Sequence, residues 1–176
     1  MVATVSEVDP GARKGARIVG AVLTLGMGGV LAGILWSAAH PGSFSDEIAH
    51  LFFRGFCHQN PERSFAWGGH AFCVCHRCFG VYAGLAGGGL LAIAGLRADV
   101  GKLRLWVAAT LPMVVHVALL QIIPAVDQVW LRVATGAVFG LWSSWAVALG
   151  LGSLWSDTPA GPPERVAVPA PNEERT

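Results

Sequence analysis

The sequence predicts an all-α integral membrane protein with four transmembrane helices and a structured extracytoplasmic loop. Hydrophobic residues make up 53% of the 176 residues and charged residues only 13%, about half the charged share of a typical soluble domain. The apolar residues are concentrated in four long runs, which are typical of membrane helices. A formal net charge of +1 provides no basic surface for binding nucleic acid.

The first apolar run, 18–39, follows a polar segment, 1–17. As a helix this run would be about 33 Å long, enough to cross a hydrocarbon core of roughly 30 Å. The apolar part of a cleaved signal peptide is shorter, about 7 to 15 residues, so we expect a retained span. The membrane domain is predicted at 18–154, with further spans at about 75–96, 105–123 and 131–154, and a disordered tail is expected at 155–176.

The loop between the first two spans, 40–74, is predicted to be structured. Apolar residues recur at helical spacing in Ser45–Phe56, and Ser45 can cap a helix, so a short amphipathic helix on the membrane surface is expected. Asn60 and Pro61 predict a second short helical turn, because proline is favoured at the first helical position. No stretch of the sequence predicts a β-strand.

The basic residues predict the orientation, because positively charged segments stay on the cytoplasmic side. They cluster before the first run and between the second and third runs, at Arg13, Lys14, Arg17, Arg97, Lys102 and Arg104. We therefore expect a multi-pass protein of the cell membrane with both termini in the cytoplasm and the loop 40–74 outside. Its expected partner is the lipid bilayer; a homo-oligomer or a second membrane protein is left open.

Glycine spacing predicts how the helices pack, since small residues let membrane helices approach closely. Glycines recur four residues apart on three of the runs, and we expect these faces to meet. The residues are Gly29 and Gly33 on the first run, Gly80, Gly84 and Gly88 on the second, and Gly136 and Gly140 on the fourth.

All four cysteines and five of the six histidines lie between His40 and Cys78. Zinc is bound in proteins by four nitrogen or sulfur ligands in a tetrahedron. Cys75 and Cys78 can supply two ligands from one turn of chain, and the earlier Cys57–His58 pair can supply a third. The fourth ligand is open among His58, Cys73, His70 and His76.

Two other interpretations of the cysteines are open. A helix that begins at Cys75 would stabilise a thiolate there, so the Cys75/Cys78 pair is also suited to a membrane thiol-disulfide oxidoreductase. A four-span enzyme of that kind would need a second cysteine pair in the other outer loop, 124–130, and that loop contains none. The remaining interpretation is a structural or assembly subunit whose cysteines only staple the loop.

Haem is not predicted. A c-type haem requires Cys-x-x-Cys-His, and the stretch Cys73–His76 is one residue too short for that pattern. His116 lies near the middle of the third run, one turn after Pro112, but the chain has no second buried histidine for a b-type haem. Ionisable residues at this depth are candidates for function, so His116 and Arg132 are noted as polar intramembrane residues; a bond from His116 to a neighbouring helix is the simpler explanation.

Two blocks carry a family resemblance: CHQNPERSF, from Cys57, and CHRCFGVYAG, from Cys75. They resemble the signature CHQxPxRSF and CxRCxGxYxG of an uncharacterised membrane protein family, the domain of unknown function numbered twenty eighty-five. The resemblance implies a membrane fold and no established activity. It also implies a ligand set of three cysteines and one histidine, namely Cys57, His58, Cys75 and Cys78. Further residues that match the pattern are Gln59, Arg63, Ser64, Arg77 and Tyr82.

The sequence therefore favours a membrane protein that holds zinc or another transition metal at its outer face. No catalytic residue is assigned, and a binding role is favoured over an enzymatic one. Cys73 lies outside the family pattern, and His116 stands where the family is expected to have Asp.

Overall fold

The computed structural model describes residues 10–96, 103–122 and 128–155. The predicted tail and parts of the N-terminal segment, of the basic link and of the turn before the fourth run lie outside these residues. The described chain forms five α-helices, two 3-10 helices and one two-stranded sheet. Their bounds are α1 Pro10–Ala39, α2 Phe44–Phe53, β1 Ser64–Trp67, β2 His70–Cys75, α3 His76–Ile93, α4 Leu103–Ile122 and α5 Val129–Gly152, with 3-10 turns at Pro61–Arg63 and Ser153–Trp155.

The prediction of four transmembrane helices is wrong. Among the described helices, two are long and apolar enough to cross a membrane, Pro10–Ala39 and Val129–Trp155. Helix α3 has 18 residues, about 27 Å of helix, and it opens with the polar residues His76 and Arg77. In α4, the apolar stretch found among the described residues is Trp106–Leu119. Neither helix reaches the length and mean hydropathy at which α1 and α5 qualify as candidate spans.

The expectation that the chain has no strand is also wrong. Strands β1 and β2 form an antiparallel hairpin in which Ser64 pairs with Cys75 and Trp67 with His70. The turn consists of Gly68 and Gly69, with φ of 58° and 84°, a region that glycine adopts without steric cost. The end of β2 is buried continuously, so it lacks the alternation of apolar and polar residues by which a half-buried strand is detected.

The two short helical elements of the loop are confirmed. Helix α2 starts at Phe44, and its N-cap is Ser43 rather than Ser45; the Ser43 side chain accepts the Asp46 N–H at 3.3 Å. Several of its apolar side chains are exposed, as expected for an amphipathic helix at a membrane surface. The 3-10 turn follows Asn60, whose side chain accepts the Glu62 N–H at 3.0 Å.

The predicted glycine contact between the second and fourth runs is confirmed. A Cβ placed at Gly80, Gly84 or Gly88 of α3 would overlap backbone atoms of α5, and the same holds for Gly136 and Gly140 against α3. This close approach leaves no room for a side chain between the two helices.

The predicted role of the first run's glycines is wrong. Positions Gly29 and Gly33 of α1 face open space, with no atom within 4 Å of the place that a Cβ would occupy. Helix α1 instead meets α3 where a Cβ on Gly20 would lie 2.7 Å from the Gly89 carbonyl oxygen. It meets α5 where a Cβ on Gly15 would lie 2.7 Å from the Gly152 carbonyl oxygen. The start of α1 and the end of α5 therefore lie at the same end of the molecule.

The opposite end of α1 packs against the hairpin. Ile34 and Ala38 belong to one buried apolar cluster with Phe53 of α2 and with 72–75 of β2. This cluster contains Cys57, Cys73 and Cys75, so the fold places the cysteines together where α1 ends and α3 begins.

Candidate metal centre

Cys57 and Cys75 come together because the hairpin folds back on the end of α2. The backbone N–H of Cys57 donates to the Phe53 carbonyl oxygen at 2.8 Å, which continues the last turn of α2. Cys75 is the last residue of β2 and the N-cap of α3. Its backbone N–H donates to the Cys57 Sγ at 3.2 Å. Both residues are buried, so the two sulfurs are shielded from solvent.

His58 supplies a third donor beside these two sulfurs. One ligand atom from each of Cys57, His58 and Cys75 lies within 4.8 Å of the others. Zinc bonds of about 2.3 Å to sulfur and about 2.0 Å to nitrogen place tetrahedral ligands about 3.5 to 3.8 Å apart, so binding would draw the three donor atoms closer together. The two cysteines are buried and the histidine is exposed, so an ion held here would lie at the edge of the apolar cluster.

Cys78 adds a third sulfur from the first turn of α3. Hydrogen bonds with the Cys57 and Cys78 side chains lower the pKa of the Cys75 thiol well below its ordinary value. Burial opposes this effect, and the backbone N–H groups of Cys78 and Arg77 add to it. The pKa direction favours a Cys75 thiolate, which is the form that binds metal, whereas the contacts with Cys57 and Cys75 raise the pKa of the Cys78 thiol. Cys57, His58 and Cys75 thus form one donor group, and Cys78 interacts with Cys75 beside it without belonging to that group.

The other cysteine and histidines of the loop lie outside this group. Cys73 is fully buried, burial raises the pKa of its thiol, and it belongs to neither donor group. His76 is buried, with its ring edge-on to Phe65 at a centroid distance of 4.5 Å, so the expectation that the chain has no buried histidine besides His116 is wrong. His70, considered above as a fourth ligand, belongs to a second donor group with Asp46 and His50.

The second donor group was not predicted. The His70 Nε2 lies 3.1 Å from the Asp46 Oδ2, and the His50 Nε2 lies 3.5 Å from the Asp46 Oδ1. Burial raises the pKa of Asp46, but hydrogen bonds from Ser37 and Gly42, together with the charge and hydrogen bond of His70, outweigh it and lower the pKa below its ordinary value. Asp46 and His50 stand four residues apart on α2, a spacing that brings side chains together on one helix face. That spacing was the available signal, but only the hairpin reveals that His70 joins them.

Several residues of the family pattern support the frame around the cysteines. Gln59 has φ of 49°, a left-handed conformation that is uncommon outside glycine. Its side-chain amide donates to the carbonyl oxygens of His50, at 2.8 Å, and Cys73, at 2.9 Å. Ser64 donates to the Asn60 carbonyl oxygen at 2.9 Å, and the Tyr82 ring packs against Phe53.

The two polar residues predicted inside the membrane are both buried. His116 of α4 and Arg132 of α5 are 5% and 6% exposed. Neither belongs to either donor group of the described chain. Their burial agrees with the simpler explanation of His116 as a side chain packed against a neighbouring helix.

The two long apolar helices and the cysteine-histidine cluster define a membrane protein with a candidate metal site. Only 11% of the most apolar window of α1 is buried, and an exposed apolar surface of this size is suited to lipid. Comparison with known families also indicates a membrane protein. Residues 57–146, half of the chain, match the family described as "Predicted membrane protein (DUF2085)". The chain belongs to this family, and the resemblance noted in its two cysteine blocks is confirmed.

Two similar proteins are both uncharacterised. One, from Methanothermobacter thermautotrophicus, is 56% identical over 32 residues, which cover 18% of this chain and 29% of that protein. The other, protein MJ1492 of Methanocaldococcus jannaschii, is 59% identical over 29 residues, which cover 16% of this chain and 19% of that protein. The chain therefore matches less than a third of the length of each relative. No solved structure matches it.

Proposed function

We propose that the protein is a membrane metal-binding protein that holds a transition metal, with zinc preferred. The proposed ligands are Cys57, His58, Cys75 and Cys78. The observation that supports this most is the hydrogen bond of 3.2 Å from the Cys75 N–H to the Cys57 sulfur. A backbone donor at the start of a helix stabilises negative charge on sulfur, and thiolates are the cysteine form that zinc binds.

A set of three cysteines and one histidine fills all four positions of a tetrahedral zinc ion, which is typical of structural sites. The proposed ligands come from the end of α2, from the end of β2 and from the first turn of α3. An ion bound to them would hold these three elements together. We therefore propose that the metal organises the surface formed by the loop and does not perform catalysis.

We also propose that α1 and α5 cross the membrane and that the cysteine centre lies on the outer side. Arg13, Lys14 and Arg17 are at the start of α1, and positive charge favours the cytoplasmic side. The end of α5 lies beside the start of α1, whereas the cysteine cluster packs on the last turns of α1. Exposed apolar side chains on α1 would contact lipid, and a further membrane protein or a second copy is a proposed partner.

Metal content tests the proposed site. The full chain is purified in detergent, stripped with a chelator and reloaded with Co²⁺, which reports thiolate ligands through a sulfur-to-cobalt charge-transfer band. Wild-type protein is expected to show this band and to retain zinc on purification. Cys75→Ser should lose the band and one equivalent of metal.

Cys73→Ser is the matched control, because Cys73 is a buried cysteine in the same strand that lies outside the donor group. It should retain both the band and the metal. Absence of the band in wild-type protein would refute the site. Equal loss from Cys73→Ser and Cys75→Ser would show that the sulfurs act only through folding.

A thiol-disulfide oxidoreductase is the second candidate, favoured by the lowered pKa of Cys75 beside two other thiols. All four cysteines are free thiols in the structure. Alkylation followed by mass spectrometry on the same anaerobic preparation separates the two proposals. A Cys75–Cys78 disulfide together with absence of metal would favour the oxidoreductase.

A further inference from the structure

We propose that Asp46, His50 and His70 form a second metal site, separate from the cysteine centre, that takes a divalent transition metal ion through two imidazoles and one carboxylate. The two donor groups share no residue. This site goes beyond the proposed function, because it does not depend on any cysteine.

The geometry of the three side chains converges on one point. One ligand atom from each residue lies within 4.8 Å of the other two. Both imidazoles direct their Nε2 atoms at the same carboxylate, at 3.1 Å for His70 and 3.5 Å for His50. Both Nε2 atoms are themselves buried and make no hydrogen bond of regular geometry with the described residues, although the contact of His70 with Asp46 helps to lower the pKa of the carboxyl.

Buried nitrogen atoms without a hydrogen bond are costly. Contact with Asp46 alone, at 3.1 Å from His70 and 3.5 Å from His50, would also bring these atoms together. A divalent ion among the three residues accepts both nitrogen lone pairs and the carboxylate charge together. An ion at this point would satisfy both buried nitrogens and the carboxylate at once.

The fold orients the carboxylate before any ion binds. The Ser37 hydroxyl donates to the Asp46 Oδ1 at 2.6 Å, and the Gly42 N–H donates to the Asp46 Oδ2 at 2.9 Å. Metal-binding carboxylates are commonly held by hydrogen bonds of this kind. Ser37 belongs to α1 and Asp46 to α2, so the site is tied to the end of a candidate membrane span.

The two histidines are positioned from different elements. His50 follows Asp46 by one turn of α2, and its carbonyl oxygen accepts from the Gln59 side chain at 2.8 Å. His70 is the first residue of β2, directly after the Gly68–Gly69 turn. The rings meet edge to face with centroids 5.8 Å apart. The hairpin thus places His70 beside Asp46 and His50, which both lie on α2.

The donor atoms determine which ions fit. Imidazole suits zinc, copper, iron and nickel, and two histidines with one carboxylate form a facial set that leaves coordination positions open. A zinc ion with three protein ligands keeps its fourth position for water or another small ligand. In contrast to the cysteine centre, this site is open.

The two histidines of the proposed site are partly exposed to solvent. The side chains of His50 and His70 are 34% and 33% exposed. A surface cleft of about 400 Å³ adjoins His50 and is lined by Glu47, His50, Leu51, Arg54 and Gln59. The cleft touches only His50 of the three proposed ligands, and the ligand class that we propose for the remaining coordination positions is water or a small anion.

The test measures cobalt stoichiometry and spectra on the stripped and reloaded full chain in detergent. Wild-type protein is expected to bind two equivalents of cobalt. One equivalent should give rise to the sulfur charge-transfer band, and the second should not. His70→Gln and, independently, Asp46→Asn should each lose the second equivalent and keep the band, which also shows that the cysteine region is folded. His40→Gln is the control, because His40 is a loop histidine outside both donor groups, and it should bind as wild type does.

Cys75→Ser separates this proposal from the proposed function, since it should keep the equivalent that gives no charge-transfer band. Loss of all cobalt in Cys75→Ser, with its helical circular dichroism intact, would overturn a separate second site. Unchanged cobalt content in both His70→Gln and Asp46→Asn would overturn it as well. A wild-type protein that binds cobalt without the band, and loses it in His70→Gln, would support the second site while refuting the cysteine centre.

Discussion

Gln59 donates its side-chain amide to the backbone carbonyl oxygen of Cys73 across 2.9 Å. The same amide nitrogen donates to the carbonyl oxygen of His50 at 2.8 Å. Gln59 therefore joins α2 to β2, the two elements that carry the second donor group, and it directly follows the Cys57–His58 pair. Its left-handed backbone, with φ of 49°, aims the side chain into this position.

Replacement of Gln59 by Ala should weaken metal binding at both sites. The substitution removes two hydrogen bonds and leaves two carbonyl oxygens without this donor, at a cost of about 1–3 kcal/mol. We expect cobalt affinity to fall by about 10-fold or more, as for loss of outer-shell support. Titration of the charge-transfer band measures the effect at the cysteine centre.

Asn60→Ala is the control for the Gln59 substitution. It removes the cap of the 3-10 turn but no contact that the structure shows to either donor group. Cobalt affinity should change much less than in Gln59→Ala. Equal affinity in wild type and Gln59→Ala would contradict a supporting role for this residue.

Gly84→Leu should destabilise the helical bundle. A Cβ at Gly84 would overlap the Ala137 carbonyl oxygen and lie 2.8 Å from the Leu141 nitrogen, so the larger side chain must separate α3 from α5. Overpacking of this kind costs about 1–3 kcal/mol or more, and the melting temperature in detergent should fall by several degrees. The matched control is Gly29→Leu, where an added side chain meets nothing within 4 Å. Similar melting temperatures for both variants would argue against the tight α3–α5 contact.

The proposed orientation predicts which added cysteines are accessible from outside the cell. A cysteine at Gly55, in the loop after α2, should react with a membrane-impermeant maleimide on intact cells. A cysteine at Leu154, near the end of α5, should react only after the membrane is permeabilised. Both positions are exposed, so burial does not explain a difference. The reverse pattern would show the opposite orientation.

The sequence predicted where the helices lie and that Cys57 and Cys75 come together. It did not predict that Asp46, His50 and His70 form a second donor group. Cys57 and Cys75 stand in two recognisable blocks, and a glycine at every fourth position of α3 and α5 marks their contact. Asp46 and His50 show helical spacing, yet His70 reaches them only because a hairpin too short for a clear pattern turns the chain back. The contacts of His70 with Asp46 and His50 depend on tertiary folding, so no local sequence pattern predicts them.

The number of spans was wrong for a different physical reason. After its polar first residues, α3 is apolar and rich in glycine, but its glycines lie in close contact with α5. The helix begins at His76, beside the cysteine centre. On α1, glycines fall on several faces of the helix, so spacing alone could not show that Gly20 packs and Gly29 does not.

Metal removal should expose the cysteine centre to alkylation. With zinc bound, thiolate ligands are held in the site, so Cys57, Cys75 and Cys78 should react slowly with iodoacetamide. After chelation the same three residues should react faster, and mass spectrometry of peptides identifies each one. Cys73 provides the internal control: it is fully buried and outside the donor group, so its rate should depend on folding and change less.

Thermal melting of the same samples separates metal protection from protection by packing. An ion that binds only the folded chain stabilises it by about 2.7 kcal/mol when its concentration is 100 times the dissociation constant. The zinc-loaded protein should therefore melt at a higher temperature than the chelated protein, and Cys75→Ser should lose most of this difference. Any difference in melting temperature that remains in Cys75→Ser should disappear in the double variant with His70→Gln, because the second site then no longer binds zinc. Identical melting temperatures and alkylation rates before and after chelation would mean that apolar packing alone protects the cysteines.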